Sequence, residues 1–175
     1  LLSGSIYNEN DLRELLLGLR EWLETSNIDD VEFCYAGNEG ATVERLSGLL
    51  KNFCERLFFG FLDVEELAKL QASATVNIYV HRGMGFFHHK VLELIAARRP
   101  VLSYPCETAE TTRLASDAGC RLFGCKNRVQ IIEAMNEIAE GTVLPGAPEL
   151  LAEFSWDARS KTLEQILHKA GRKGS

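Results

Sequence analysis

The sequence predicts an α/β fold, a doubly wound parallel sheet of six strands in a Rossmann-like arrangement. Short apolar runs alternate with segments of helical period along most of the chain. The connections between them are short, and strands each followed by a helix call for parallel neighbours covered on both faces. The chain has 175 residues, of which 46% are hydrophobic and 25% charged, which suits one domain with a single packed core.

Taken in order, Leu1–Ile6 reads as a short strand running through Gly4-Ser5. Asp11–Leu23 carries Leu12, Leu15, Leu16, Leu19 and Leu23 at helical spacing, with Asn8 or Asn10 as its cap. Val31–Ala36 reads as a buried strand that breaks at Gly37. Thr42–Cys54 places Val43, Leu46, Leu49, Leu50 and Phe53 on one helical face. Leu57–Leu62 is the third expected strand, and a helix follows from Val64 to Gln71. Val76–Val80 is the fourth strand, and Phe87–Ala97 the next helix. A tight Arg98-Arg99-Pro100 turn leads to the strand Val101–Tyr104. The helix Thr108–Ala118 stops at Gly119, Cys120–Phe123 is the sixth strand, and Val129–Ile138 is a further helix. The Gly- and Pro-containing loop Gly141–Pro148 ends the series, and Asp157–Lys169 forms a last amphipathic helix. The whole of 1–175 is expected to be one domain, with 151–175 as its closing helix and tail. The chain opens on Leu1-Leu2-Ser3-Gly4 without an initiator methionine, as expected of a piece of a longer protein.

Composition narrows the function. With 19 basic and 25 acidic side chains the formal net charge is -6, which disfavours indiscriminate nucleic-acid binding. No apolar stretch approaches the roughly 20 residues of a membrane span. The five cysteines form no C-x-x-C pair and no zinc-like spacing, so they read as reduced thiols of a cytoplasmic protein, with no metal site. Adjacent His88 and His89 project about 100° apart on a helix and do not chelate one ion. Trp22, Trp156, Phe58, Phe59, Phe61, Phe86 and Phe87 read as packing residues.

In open parallel sheets the ligand lies beyond the carboxyl ends of the strands. That rule selects the loops after Ile6, Ala36, Leu62, Val80 and Tyr104. The segment from His81 to Arg99 stands out among them. It holds His81, Arg82, His88, His89, Lys90, Arg98 and Arg99 against a single carboxylate, Glu93. Gly83 and Gly85 allow close backbone approach where strand passes into helix. Lys90 and Glu93 share a helical face. The pairing suits a phosphate beside ribose hydroxyls; the alternative is an exposed helix pair worth a few tenths of a kcal/mol.

The run His88-His89-Lys90-Val91-Leu92-Glu93-Leu94-Ile95-Ala96-Ala97-Arg98-Arg99-Pro100-Val101 resembles the K-x-x-E-y-l-A-x-g-x-P-V segment of group-1 glycosyltransferases of the GT-B fold. Three further pieces are similar in kind and order: Leu2-Ser3-Gly4-Ser5-Ile6-Tyr7, Phe58-Phe59-Gly60-Phe61-Leu62 followed by Glu65-Glu66-Leu67, and Phe154-Ser155-Trp156 with its helix. The resemblance implies the C-terminal, nucleotide-sugar-binding half of a two-domain enzyme, inactive without its acceptor domain. It implies that Glu93 holds the ribose hydroxyls, that His88, His89 and Lys90 meet the diphosphate, and that Gly4 and Ser5 face the phosphates. Phe61 and Leu62 would contact the base, and Lys90 would stabilise the leaving diphosphate. No cofactor is implied, since the nucleoside-diphosphate sugar is the donor substrate. The implied partner is the missing acceptor domain, and a peripheral membrane contact of the full-length protein stays open. Two positions depart from the family pattern: Gly85 stands where many members carry a first glutamate, and Ser3-Gly4-Ser5-Ile6-Tyr7-Asn8 contains no Arg or Lys. A non-catalytic domain of the same fold, with an eroded site serving assembly or regulation, is therefore the alternative.

Overall fold

The most apolar runs occupy the middle of the sheet, where both faces are covered. In the computed structural model, which describes residues 1–83, 88–141, 152 and 155–171, the strands β4 (Asn77–Val80) and β5 (Val101–Tyr104) are buried at every position. Around them β1 (Leu2–Ser3), β2 (Glu32–Ala36), β3 (Glu55–Phe58) and β6 (Leu122–Gly124) complete a six-stranded sheet of order β3-β2-β1-β4-β5-β6. Every neighbouring pair is parallel. The α/β, doubly wound fold is therefore as the sequence predicts.

On one face α1 (Glu9–Thr25) packs beside α6 (Arg128–Ala139) and α2 (Gly40–Leu46). Asn8 caps α1 by accepting the backbone N–H of Asn10, and Asn127 caps α6 through that of Gln130. Leu12, Leu15, Leu16, Leu19 and Trp22 of α1 meet Ile131, Ala134, Met135 and Ile138 in one core with Leu2, Tyr35 and Ile78. Gly18 permits this closeness, since a Cβ there would lie 2.9 Å from Cδ1 of Ile131. A second core unites Tyr79 and Val101 with Val91, Leu94 and Ile95 of α4 (Lys90–Ala96) and Ala115 of α5 (Ala109–Asp117). The helix α3 (Val64–Ser73) starts on a capping box between Asp63 and Glu66.

Several boundaries differ from the sequence expectation. The helix expected over 42–54 ends at Leu46 and continues as a 3-10 turn, Ser47–Leu50, where Gly48 weakens the helix and the Ser47 hydroxyl bonds to the Glu44 carbonyl. β3 starts two residues earlier and ends four residues earlier than expected, because its pairing with β2 ends at Tyr35 and Phe58 and Gly60 turns out of the sheet at a φ of 65°. Phe59 and Phe61, expected in the core, are exposed for that reason, Phe61 by 80%. β1 stops at Ser3, since Gly4 adopts a φ of 94°. The last helix, α7 (Trp156–Gly171), forms where its period predicts. Its described side chains are exposed apart from half-buried Ala158, so Leu163, Ile166 and Leu167 present an apolar stripe. Gly85, Phe86, Phe87, most of the 141–148 loop, Phe154 and the Trp156 side chain lie outside the described residues.

Trp22 packs as expected, and its indole Nε1 donates to Asn136 Oδ1 at 3.0 Å. The five cysteines are free thiols, three of them buried, and burial pushes Cys120 up to about 11 and Cys125 up to about 12. Among the described residues no helix is long and apolar enough to cross a membrane.

Candidate functional site

The order of the sheet itself selects a site. The chain runs outward through β1, β2 and β3, then returns to place β4 on the other side of β1. Connections diverge between β1 and β4, and the crevice beyond their carboxyl ends is where such sheets take ligands. Gly4 and Ser5 leave β1 there, and His81 to Gly83 leave β4.

Lys90, the first residue of α4, reaches back across Gly4. A Cβ on Gly4 would lie 3.0 Å from Lys90 Cδ and Cε and 3.1 Å from Nζ, a contact tight enough that the lysine would have to shift, and the φ of 94° at Gly4 itself favours glycine. Gly4 is held by its own N–H to the Ala36 carbonyl at 2.9 Å, and its carbonyl accepts the Tyr35 hydroxyl at 3.1 Å. Ser5 is exposed beside it. The first loop has no Arg or Lys of its own, yet two cations reach it from elsewhere: Lys90, and Arg82, whose guanidinium sits 5.3 Å from the Tyr7 ring centroid.

His88 fills the centre of this corner. Its ring lies 5.4 Å from that of Tyr79, 5.9 Å from His81 and 5.9 Å from Tyr7. Its Nδ1 is buried without a hydrogen-bond partner among the described residues. Burial holds the His88 imidazole below its ordinary pKa, and the electrostatic influence of His81, Lys90, His89 and Arg82 acts in the same direction. Burial likewise lowers Lys90, against the opposing pull of Glu93. Burial therefore disfavours the charged forms of both groups, and an anion in the crevice would favour them.

Glu93 is exposed by 62%, with Oε2 3.9 Å from Lys90 Nζ. His89 is exposed on the same turn. The structure thus brings Gly4, His88, Lys90 and Glu93 together, with Ser5 and His89 at the rim. Phe61 and Leu62 follow β3, two strands from β1 at the edge of the sheet. Arg98 and Arg99 do not join the group. Arg98 closes the far end of α4 at a φ of 59°, about 12 Å from Lys90 along the helix axis at 1.5 Å per residue. Arg99 donates to the Ala72 carbonyl at 2.7 Å.

Three participants escaped the sequence reading. Tyr7 and Tyr79 are not singled out, since no motif or spacing marks them. Glu107, with its side chain 1% exposed, places Oε1 3.5 Å from Nε2 of the fully buried His81. Its only sequence signal is position, a carboxylate just past the end of β5 and just before the Thr108 cap of α5. The basic segment therefore faces a second carboxylate besides Glu93. Elsewhere, a hollow of about 490 Å³ on α1 is lined by Arg13, Arg20 and Arg45, of which Arg20 pairs with Glu24 and Arg45 with Glu9.

No protein-family model and no curated protein matches the chain. Among solved structures, the sucrose-phosphate synthase of Thermosynechococcus elongatus superposes with a TM-score of 0.67 over 98% of this chain, at 16% identity. The fold is that of one half of a GT-B glycosyltransferase. The chain spans 45% of the length of that synthase, and the likeness bears on the fold alone.

Proposed function

We propose that the chain is the nucleotide-sugar-binding domain of a group-1 GT-B glycosyltransferase, which carries the sugar donor for transfer to an acceptor hydroxyl. The observation that carries this reading is Lys90 lying across Gly4 at the divergence of β1 and β4, with Glu93 on the same helical face. The diphosphate would lie between the Gly4–Ser5 loop and His88, His89 and Lys90, with Arg82 at its edge. Glu93 would accept hydrogen bonds from the ribose hydroxyls, and the loop of Phe61 and Leu62 would meet the base.

Sugar transfer separates charge, leaving it on the departing diphosphate. Lys90 is placed to stabilise that charge, and its partial burial makes the stabilisation stronger than water would allow. His88 and His89 add to it when protonated. The acceptor and any catalytic base would come from a second domain, the chain's principal partner, with transfer in the cleft between the two. Cytoplasmic action on a membrane-linked acceptor fits this reading.

A non-catalytic role is favoured by one residue, Gly85, in place of a glutamate that many family members carry. Calorimetric titration with UDP, GDP, dTDP and ADP separates the two. One nucleotide should bind clearly better than the others. Loss of hydrogen bonds to the carboxylate in Glu93→Ala should weaken it about 10- to 150-fold, equivalent to roughly 1.5–3 kcal/mol. Failure of all four to bind an intact fold would favour the non-catalytic role, and equal affinity in Glu93→Ala would reduce Glu93 to a surface pair.

A further inference from the structure

We infer that Glu107 is a positioning residue: together with His81 it ties the loop after β5 to the loop after β4, and so holds His88 and Lys90 in place for a diphosphate. The inference rests on the donor-domain reading for its ligand, and on the geometry alone for the tie between loops.

The connection can be followed atom by atom. The backbone N–H of Thr108, the N-cap residue of α5, donates to Glu107 Oε1 at 2.7 Å. The same oxygen faces His81 Nε2 at 3.5 Å. On the other side of the imidazole, Nδ1 accepts the backbone N–H of Gly83 at 3.0 Å. An acceptor at Nδ1 places the ring proton of neutral His81 on Nε2, pointing at the carboxyl. Gly83 lies at a φ of 140°, and five residues on the His88 ring packs on those of His81 and Tyr79. One further turn brings Lys90 over Gly4. Glu107, His81 and Gly83 thus form a buried path from the start of α5 to the start of the phosphate-facing segment.

The rest of the fold makes room for this path. A Cβ on Gly124 of β6 would come within 2.9 Å of Glu107 Cβ and 3.2 Å of its backbone nitrogen, so Gly124 lets β6 pass beneath the residue. Burial raises the Glu107 carboxyl above its usual range, opposed by the Thr108 N–H and by the hydroxyls of Thr111 and Thr108. A structural carboxyl buried for stability alone would have both oxygens satisfied. Here Glu107 Oε2, Tyr79 Oη and His88 Nδ1 are three of five buried side-chain polar atoms without a partner among the described residues. Their concentration beside the crevice marks a corner arranged for position at the expense of stability. Glu107 Oε1 accepts the Thr108 N–H, and its amide isostere, which keeps an oxygen acceptor there, should replace it.

Three measurements test the role. In the unaltered protein, ring ¹⁵N shifts of His81 should show the proton on Nε2; a proton on Nδ1 would overturn the inference without any variant being made. In Glu107→Ala the Gly83 amide should exchange with solvent at least about tenfold faster, and affinity for the best-bound of UDP, GDP, dTDP and ADP should fall at least about tenfold, as expected for losing a buried hydrogen bond. Glu107→Gln should restore both to within about threefold, since its amide oxygen keeps the same acceptor position. Unchanged Gly83 exchange and unchanged diphosphate affinity in a folded Glu107→Ala would overturn the inference while leaving the donor reading intact. If the unaltered protein binds none of the four diphosphates, the donor reading fails and the positioning role fails with it.

Discussion

The α1–α6 interface and the corner beyond β4 are built from similar materials and arranged in opposite ways. Between α1 and α6 the polar groups are paired. Trp22 Nε1 meets Asn136, and Arg128 spans Glu14 and Glu21 with bonds of 2.8 and 2.9 Å. Beyond β4, Tyr79, His88 and Glu107 each keep a buried polar atom without a partner among the described residues, and Lys90 lies partly out of water against Gly4. The difference separates a region whose polar groups are paired from the corner where a donor diphosphate is proposed to bind. Unpaired buried polar atoms are costly, and they persist where a ligand or a catalytic demand uses them.

Truncation at the interface should break the comparison most visibly. Trp22→Ala removes a side chain that is 5% exposed and should cost about 3–5 kcal/mol in chemical unfolding. Nucleotide affinity of the still-folded protein should be unchanged, since Trp22 lies in the core shared by α1 and α6. Loss of affinity in Trp22→Ala would mean the two regions are not separable.

Gly4→Ala should act on both quantities. A non-glycine residue at a φ of 94° costs roughly 1–3 kcal/mol, and the new methyl would push Lys90 from its position 3.0 Å away. Denaturation and nucleotide titration of the same variant check the pair of effects. A drop in stability without a drop in affinity would separate Gly4 from the ligand.

Much of the contrast was legible in the sequence, and the reasons for the rest are physical. The fully buried strands Asn77–Val80 and Val101–Tyr104 declare themselves by composition, and Asn8 announces the start of α1. Lys90 and Glu93 are visible because helical spacing puts them on one face. Register is not visible in this way. Phe61 follows an apolar run, and only the pairing of Tyr35 with Phe58 turns it out into solvent. The meeting of His81 with Glu107 joins two loops of different strands, and no local period records such a contact.

The smallest effect concerns pH. The folded-state pKa of His88 is lowered from its ordinary 6.5, so below that pH the unfolded chain binds more protons than the folded one. Stability contributed by neutral His88 is present above about pH 6.5 and is lost as pH falls through its lowered folded value. Denaturation across that window should show a shallower pH dependence in His88→Gln than in the unaltered protein. Matching slopes would mean that the histidine is not desolvated.

The central claim is that Lys90, held across Gly4, is the diphosphate contact. Its most direct test compares a nucleoside diphosphate with the corresponding monophosphate in the unaltered protein and in Lys90→Met. Removing a partly buried cation should leave stability equal or higher. The preference for the diphosphate should fall about 10- to 150-fold, as for a hydrogen bond to a charged group. An unchanged preference in a stable Lys90→Met protein would contradict the account.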